Sequence, residues 1–494
     1  MPGCHTPGMS DDLIRLTASE AVARLARREI SPLELVEAAA ARIAAVEPAV
    51  NALPTLCLDR ARAHAKRLMD GQGREREGQP GWLGGLPVSI KDLTDVAGVR
   101  TTYGSPIFKD HVPERSHPIV ERIEALGGIV IGKSNTPEFG AGGSTFNEVF
   151  GRTRNPWNTS LTCGGSTGGG AVSLATGEVW LAQGTDHGGS TRRPATYCSV
   201  VGLRPSPGRI TRGSVNNLFS PLSVQGPMAR SIPDLALFLD TMAGWCPEDP
   251  LTYDAPATSY AEAVARAEGR LPLRIAFSAD YNGQLPVDRE VREICAAAMR
   301  HFRDLGCEVE EFAPDLGELS EAFLVLRSQH FVVDREIQMQ THREMLKPDI
   351  IWNTQRGLDA TPSRLAWADR ERAAFFRRMV AMFRRFDVFV TPGAPTAAFD
   401  VMLRNPETIA GMKLENYMAG SMMNAAMTMA GSPAVAVPCG FDRHGRPIGL
   451  QIAAPPRREE VALAAAALFE RAAGFDRMLP IDPRPGEVPP PATE

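Results

Sequence analysis

The 494-residue sequence has no apolar run long enough to span a membrane. Its first residues, MPGCHTPGMSDDL, lack a charged stretch followed by an apolar one, so no secretory signal is expected. The expected compartment is the cytoplasm, with no membrane association. A basic surplus is missing too: the net charge is −5, which argues against a nucleic-acid partner. The adjacent pairs Arg377–Arg378 and Arg384–Arg385 fall on an amphipathic helical pattern and read as a solvated face. The eight cysteines are scattered, with no C-x-x-C pair and no His/Cys cluster at metal-ligand spacing. Small buried thiols are expected rather than a disulfide framework, and neither a metal nor another cofactor is implied. There is no internal repeat and no clean linker.

What is present is ordinary for a globular chain with a sizeable core: 43% hydrophobic and 22% charged residues. Residues 1–70 read as an N-terminal helical segment packed on the core, with Ser31-Pro32 opening its second helix. From Gly85 short β-branched runs alternate with helical patterns, which predicts an α/β fold. Strands are expected at "PVSI", "GIVIG" and "VWLA", and further on at 273–277, 307–312, 387–391, 434–438 and 449–454. One domain is expected over 71–480, with a helical cap near 318–386, followed by a flexible proline-rich tail at 481–494. The stretch "GGIVIGKS" (127–134) fits a phosphate-binding loop by letter only. Its middle reads as a strand, whereas the loop must follow a strand and open a helix.

Three stretches concentrate the features that chemistry needs. In "GGLPVSIKDLTDVAG" (84–98), Lys91 ends an apolar run, where desolvation would favour its neutral form. A surface lysine paired with Asp92 or Asp95 is the alternative. In "CGGSTGGG" (163–170), Ser166 fits the G-x-S-x-G elbow, but polar "NPWNTSLTC" precedes it instead of a buried strand. That elbow would also need a histidine, and His301, His330, His342 and His444 are available without a distinctive setting. In "GTDHGGSTRRPA" (184–195), a strand runs into Gly188-Gly189-Ser190. Successive N–H groups there could hold an oxyanion beside a nucleophile, or the segment could be a structural turn capped by Ser190.

Together "GGLPVSIKD", "GGSTGGG" and "GTDHGGSTRRPA" resemble the amidase signature family of serine hydrolases. "RNPWN" (154–158), "VVGLRPSPGRI" (200–210), "VQGPMARSIPD" (224–234), "VTPGAPT" (390–396) and residues 431–455 extend the likeness over nearly the whole chain. The resemblance implies a mixed, twisted central β-sheet covered by helices on both faces. It also implies a Ser–cisSer–Lys triad: Ser190 as nucleophile, Ser166 after a cis peptide as relay, Lys91 as base. His187, Gly188, Gly189 and Ser190 would supply oxyanion N–H groups, and Gly140 would lie on a substrate-facing loop. Gly165, Thr167, Asp186 and Arg192 would support the site. Thr167, His187 and Arg193 depart from the residues usual in the family, so the side chain of His187 could touch substrate.

The implied activity is hydrolysis of a small-molecule amide or carbamate, with aryl amides and urethanes favoured, by a monomer or homodimer. The alternatives are a Ser-His-Asp esterase using Ser166 and a glutamine-hydrolysing amidotransferase subunit. The 318–360 segment and the 213–223 loop are expected to wall the pocket. Phe146, Tyr197, Leu218, Phe219, Phe331 and Trp352 are candidate liners, with Tyr197 and Phe219 chosen as substrate contacts.

Overall fold

The apolar runs become the strands of one sheet. The computed structural model describes residues 9–213, 215–475 and 477–489. Residues 1–8 and 490–494, the extremes of the N-terminal segment and the tail, lie outside it, as does Ser214 in the 213–223 loop. The central sheet has eleven strands: β1 Thr55–Leu56, β2 Pro87–Lys91, β3 Ile129–Ser134, β4 Leu181–Asp186, β5 Val201–Arg204, β6 Val224–Ala229, β7 Arg274–Phe277, β8 Glu308–Glu311, β9 Val388–Pro392, β10 Ala434–Phe441 and β11 Pro447–Ala453. Their order is β1-β3-β2-β4-β6-β5-β10-β11-β9-β7-β8. β2 is parallel to β3 and β4, and β7 is parallel to β8 and β9. The remaining neighbours are antiparallel, so the sheet is mixed.

Every residue of β2, β3, β6 and β11 is buried. Successive side chains in a strand point to opposite faces, so these strands must be covered on both. Strands β5 and β6 are absent from the sequence-based expectation. β5 is short, and Gly226 and Pro227 inside β6 read against a strand, yet Pro227 stands opposite Gln183 of β4. The "GGIVIGKS" stretch is β3, and its Lys133 is a buried side chain 3.2 Å from Asp92.

The N-terminal segment is helical, with a capping box at Ser31–Glu34 and Pro32 in the first turn of Pro32–Val50. Three helices, Leu319–Thr341, Pro348–Leu358 and Pro362–Phe383, make up most of the 318–386 region. The start of the expected flexible tail is instead docked. Ile481 N–H donates to Ala175 O and Arg484 N–H to Pro156 O, each at 2.9 Å, and Arg42 pairs with Asp482 at 2.7 Å. Proline content counts against a regular strand, but it does not prevent docking through the N–H groups of the residues between the prolines. The cysteines among the described residues are free thiols, and no described helix is long and apolar enough to cross a membrane.

Candidate active site

The site forms where two parallel strands end side by side. Lys91 is the last residue of β2 and Asp186 the last of β4. In open α/β sheets the crevice beyond the carboxyl ends of the strands is where ligands bind. The helix Gly168–Ala175 packs on β2, β3 and β4, and it begins two residues after Ser166. That helix can lie so close because its first turn has no side chains. A Cβ on Gly169 would stand 2.3 Å from Asn135 N and 2.5 Å from Ala52 O. The polar stretch before Ser166 is a small hairpin, Arg154–Asn155 with Asn158–Thr162, not a buried strand leading into an elbow.

Lys91 is fully buried. Its Nζ lies 2.7 Å from Ser166 Oγ, 2.9 Å from Thr167 Oγ1 and 2.9 Å from Thr185 Oγ1. Among the described residues it has no ion-pair partner. Asp92 and Asp95, the acidic neighbours in sequence, are engaged elsewhere, with Lys133 and with the Tyr103 hydroxyl. Burial therefore pushes the Lys91 amine well below the ordinary lysine range, opposed by the Asp186 carboxylate.

The Gly165–Ser166 peptide is cis. A Cβ on Gly165 would lie 2.8 Å from Gly142 O and 3.2 Å from backbone carbons of Gly143 and Ser144, so only glycine fits against that loop. Gly140 faces Ser166: a Cβ there would be 3.4 Å from Ser166 Oγ. Ser190 comes from the loop after β4 and lines the same cavity as Ser166. Thr167 N–H donates to Ser190 O at 3.1 Å and ties the two loops together.

The Ser190 loop is held by a buried ionic knot. Asp186 accepts from Arg192 Nη2 at 2.8 Å, Arg192 Nε at 3.1 Å and Thr191 N–H at 3.1 Å. Arg204 Nη1 donates to the Asp186 carbonyl at 2.7 Å. Burial pushes this carboxyl up, but the two guanidiniums and the hydrogen bonds more than offset it and hold it well below the usual carboxylate range. Gly189 N–H also donates to Asp186, at 3.0 Å, which corrects its expected place in an oxyanion hole. Gly189 adopts φ +103°, and that turn sends its N–H back towards the strand end. Among the described residues the N–H groups of Gly188 and Ser190 have no acceptor. His187 O accepts from Thr428 Oγ1, and its ring lies 5.1 Å from that of His330.

The cavity above these groups holds about 180 Å³. Its walls come from the 213–223 loop and the Leu319–Thr341 helix, and Phe331 is the one aromatic candidate that lines it with Gly140 and His187. The two expected substrate contacts are elsewhere. Tyr197 is 1% exposed and packs in a separate cluster with Leu161 and Ala398, because its helix faces the interior. Phe219 is 75% exposed at the outer edge of its loop. His330 does reach the cavity, but Asn217 Nδ2 stands 2.7 Å from its Nδ1 and Asp334 Oδ2 lies 3.0 Å from its Nε2. Both ring nitrogens are thus occupied, and neither serves a serine. Arg212, Arg327, Asp334 and Arg335 also line the cavity, and none of them is singled out by the sequence. The helical spacing 327, 330, 331, 334, 335 is the available signal, but nothing in it says which face meets the cavity.

The sequence profile of the family described as Amidase matches residues 34–463. An acylamidase of Rhodococcus erythropolis is 34% identical over 464 residues, covering 92% of this chain and 95% of the relative. A glutamyl-tRNA(Gln) amidotransferase subunit of Anaeromyxobacter dehalogenans (strain 2CP-C) is 34% identical over 507 residues, covering 96% and 99%. Among solved structures, a bacterial aryl acylamidase of the amidase signature enzymes superposes with a TM-score of 0.86 at 28% identity, covering 94% of this chain and 97% of that one. Profile, relatives and sheet agree over almost the full length, and this chain therefore belongs to the Amidase family, the amidase signature enzymes, which hydrolyse amide C–N bonds.

Proposed function

We propose that the chain cleaves small aryl amides or carbamates through an acyl-Ser190 intermediate, with Ser166 as proton relay and Lys91 as base. The observation that carries this reading is the buried, unpaired Lys91 amine 2.7 Å from Ser166 Oγ. A neutral amine has two N–H donors and one lone pair. Its donors suit Thr167 and Thr185, and its lone pair suits the Ser166 hydroxyl. Ser166 then has its oxygen free to take the proton of Ser190 as it passes its own to Lys91. Ser190 Oγ bonds to the acyl carbon, and the N–H groups of Gly188 and Ser190 receive the oxyanion. The C–N bond breaks, the leaving nitrogen takes back the relayed proton, and water hydrolyses the ester to release the acid and restore Ser190.

A fluorophosphonate probe followed by peptide mapping tests the assignment. Label on Ser190, abolished in Ser190→Ala, is the expected result; label on Ser166 would favour the Ser-His-Asp alternative. The identity to a glutamyl-tRNA(Gln) amidotransferase subunit supports a second reading, hydrolysis of glutamine, which is small enough for the cavity. Ammonia release from glutamine, compared with release of aniline from an anilide, separates the two.

A further inference from the structure

The wall that the Leu319–Thr341 helix gives the cavity carries more positive charge than its own contacts use. Arg327, His330, Phe331, Asp334 and Arg335 occupy one face of the Leu319–Thr341 helix. Asp334 is the one carboxylate lining the cavity, and it is paired with His330 at 3.0 Å. Arg212, reaching in from the loop, donates to the carbonyls of Asn217 and Ser220. Arg327 is different. It is 5% exposed and has no ion-pair partner among the described residues. One Nη donates to the Tyr417 hydroxyl at 2.9 Å, and the guanidinium lies over the Phe331 ring at 4.8 Å. Its Nε is buried with no acceptor. Arg335 lies over Phe139 at 4.0 Å and donates to the Asp334 carbonyl at 2.9 Å, again without an ion-pair partner among the described residues.

A guanidinium cannot shed its proton to escape burial. A buried one without an anion is therefore a poor structural element. Two aromatic side chains fix this one while its Nε is left unused. Such an arrangement matches a planar anion brought in by a ligand. We propose that the cavity takes an amide or carbamate that also bears a carboxylate, and that Arg327 is the anchor for that carboxylate. The inference rests on the Ser190 reading above, and Arg335 adds to the positive field.

The test uses two pairs of anilides with the full-length enzyme. In one pair the acyl chain ends either in a carboxylate (glutaric acid mono-nitroanilide) or in the isosteric isopropyl group. In the other the leaving aniline carries either a carboxylate or a methyl group. In at least one pair kcat/KM is expected to favour the carboxylate by about tenfold or more. Arg327→Met should bring that ratio close to one, and Arg327→Lys should restore part of it. A ratio measured within one preparation does not depend on the fraction of folded enzyme. Absence of a carboxylate preference in both pairs, or a preference that survives Arg327→Met, overturns the proposal. Undiminished turnover by Ser190→Ala would instead overturn the Ser190 reading, whatever the ratio.

Discussion

Replacing Lys91 with methionine separates a base from a structural amine. The replacement removes the contacts to Ser166, Thr167 and Thr185, three hydrogen bonds worth about 1 kcal/mol each. The loss to the fold is then about 3 kcal/mol, and more where a buried hydroxyl is left without a partner, against a usual total of 5–15 kcal/mol. Relief of a buried ionisable group works in the other direction. Burial lowers the pKa of Lys91 in the folded chain. Between that lowered value and the unfolded value of about 10.4, the unfolded chain binds a proton that the folded one does not. Stability from this group therefore rises as pH rises through that window, by about 1.4 kcal/mol per unit. Lys91→Met should lack this rise, so its stability relative to the wild type should be best at the acidic end. Activity should behave otherwise. Wild-type kcat/KM on an anilide should climb about tenfold per pH unit along one acidic limb as Lys91 becomes neutral, then level off. The variant should lose the limb and about 10²–10⁴ of the rate on the anilide. It should lose less on an activated ester, whose leaving group does not need the relayed proton. The assay is kcat/KM against pH for a matched anilide and ester, beside urea unfolding at each pH. Equal losses on both substrates with the limb intact would show that Lys91 is structural.

Asp186→Asn should unfold at lower denaturant by about 3–5 kcal/mol, because Arg192 and Arg204 would be left buried without their anion; chemical denaturation of the purified variant measures it. Gly165→Ala should cost about 1–3 kcal/mol and most of the activity, since its Cβ must push against Gly142 O; an unchanged kcat would show that the 142–144 loop yields freely. His330→Ala should lower kcat far less than Lys91→Met, because both ring nitrogens already serve Asn217 and Asp334. A loss of several orders of magnitude, with circular dichroism unchanged, would favour a histidine base.

Much of the framework was legible in the residues. β-branched runs named β2, β3, β9, β10 and β11, since an apolar strand of a covered sheet needs no partner to declare itself. The glycines around Ser166 and Ser190 marked places where backbone must approach backbone, and Gly165 against Gly142 is such a place. The family likeness then attached roles to Lys91, Ser166 and Ser190. β6 is hidden because Gly226 and Pro227 look like turn residues, and only pairing with the neighbouring strand β4 makes a strand of them.

What only the tertiary structure decided is which groups face each other across loops distant in sequence. Lys91 and Asp92 are adjacent in the chain, yet Asp92 goes to Lys133 and Lys91 goes to three hydroxyls, because β2 ends at Lys91 and the chain turns at Asp92. The direction of Gly189 N–H depends on where Asp186 stands at the end of β4. Tyr197 and Phe219 are both aromatic residues near the motif, and one is core while the other is surface. Composition sets how apolar a side chain is, but the packing of helix on sheet sets what it meets. For the same reason Arg327 was invisible in a charged helical stretch. Its character comes from Phe331 and Tyr417 around it and from the lack of an ion-pair partner among the described residues, and both are properties of position in space rather than of order in the chain.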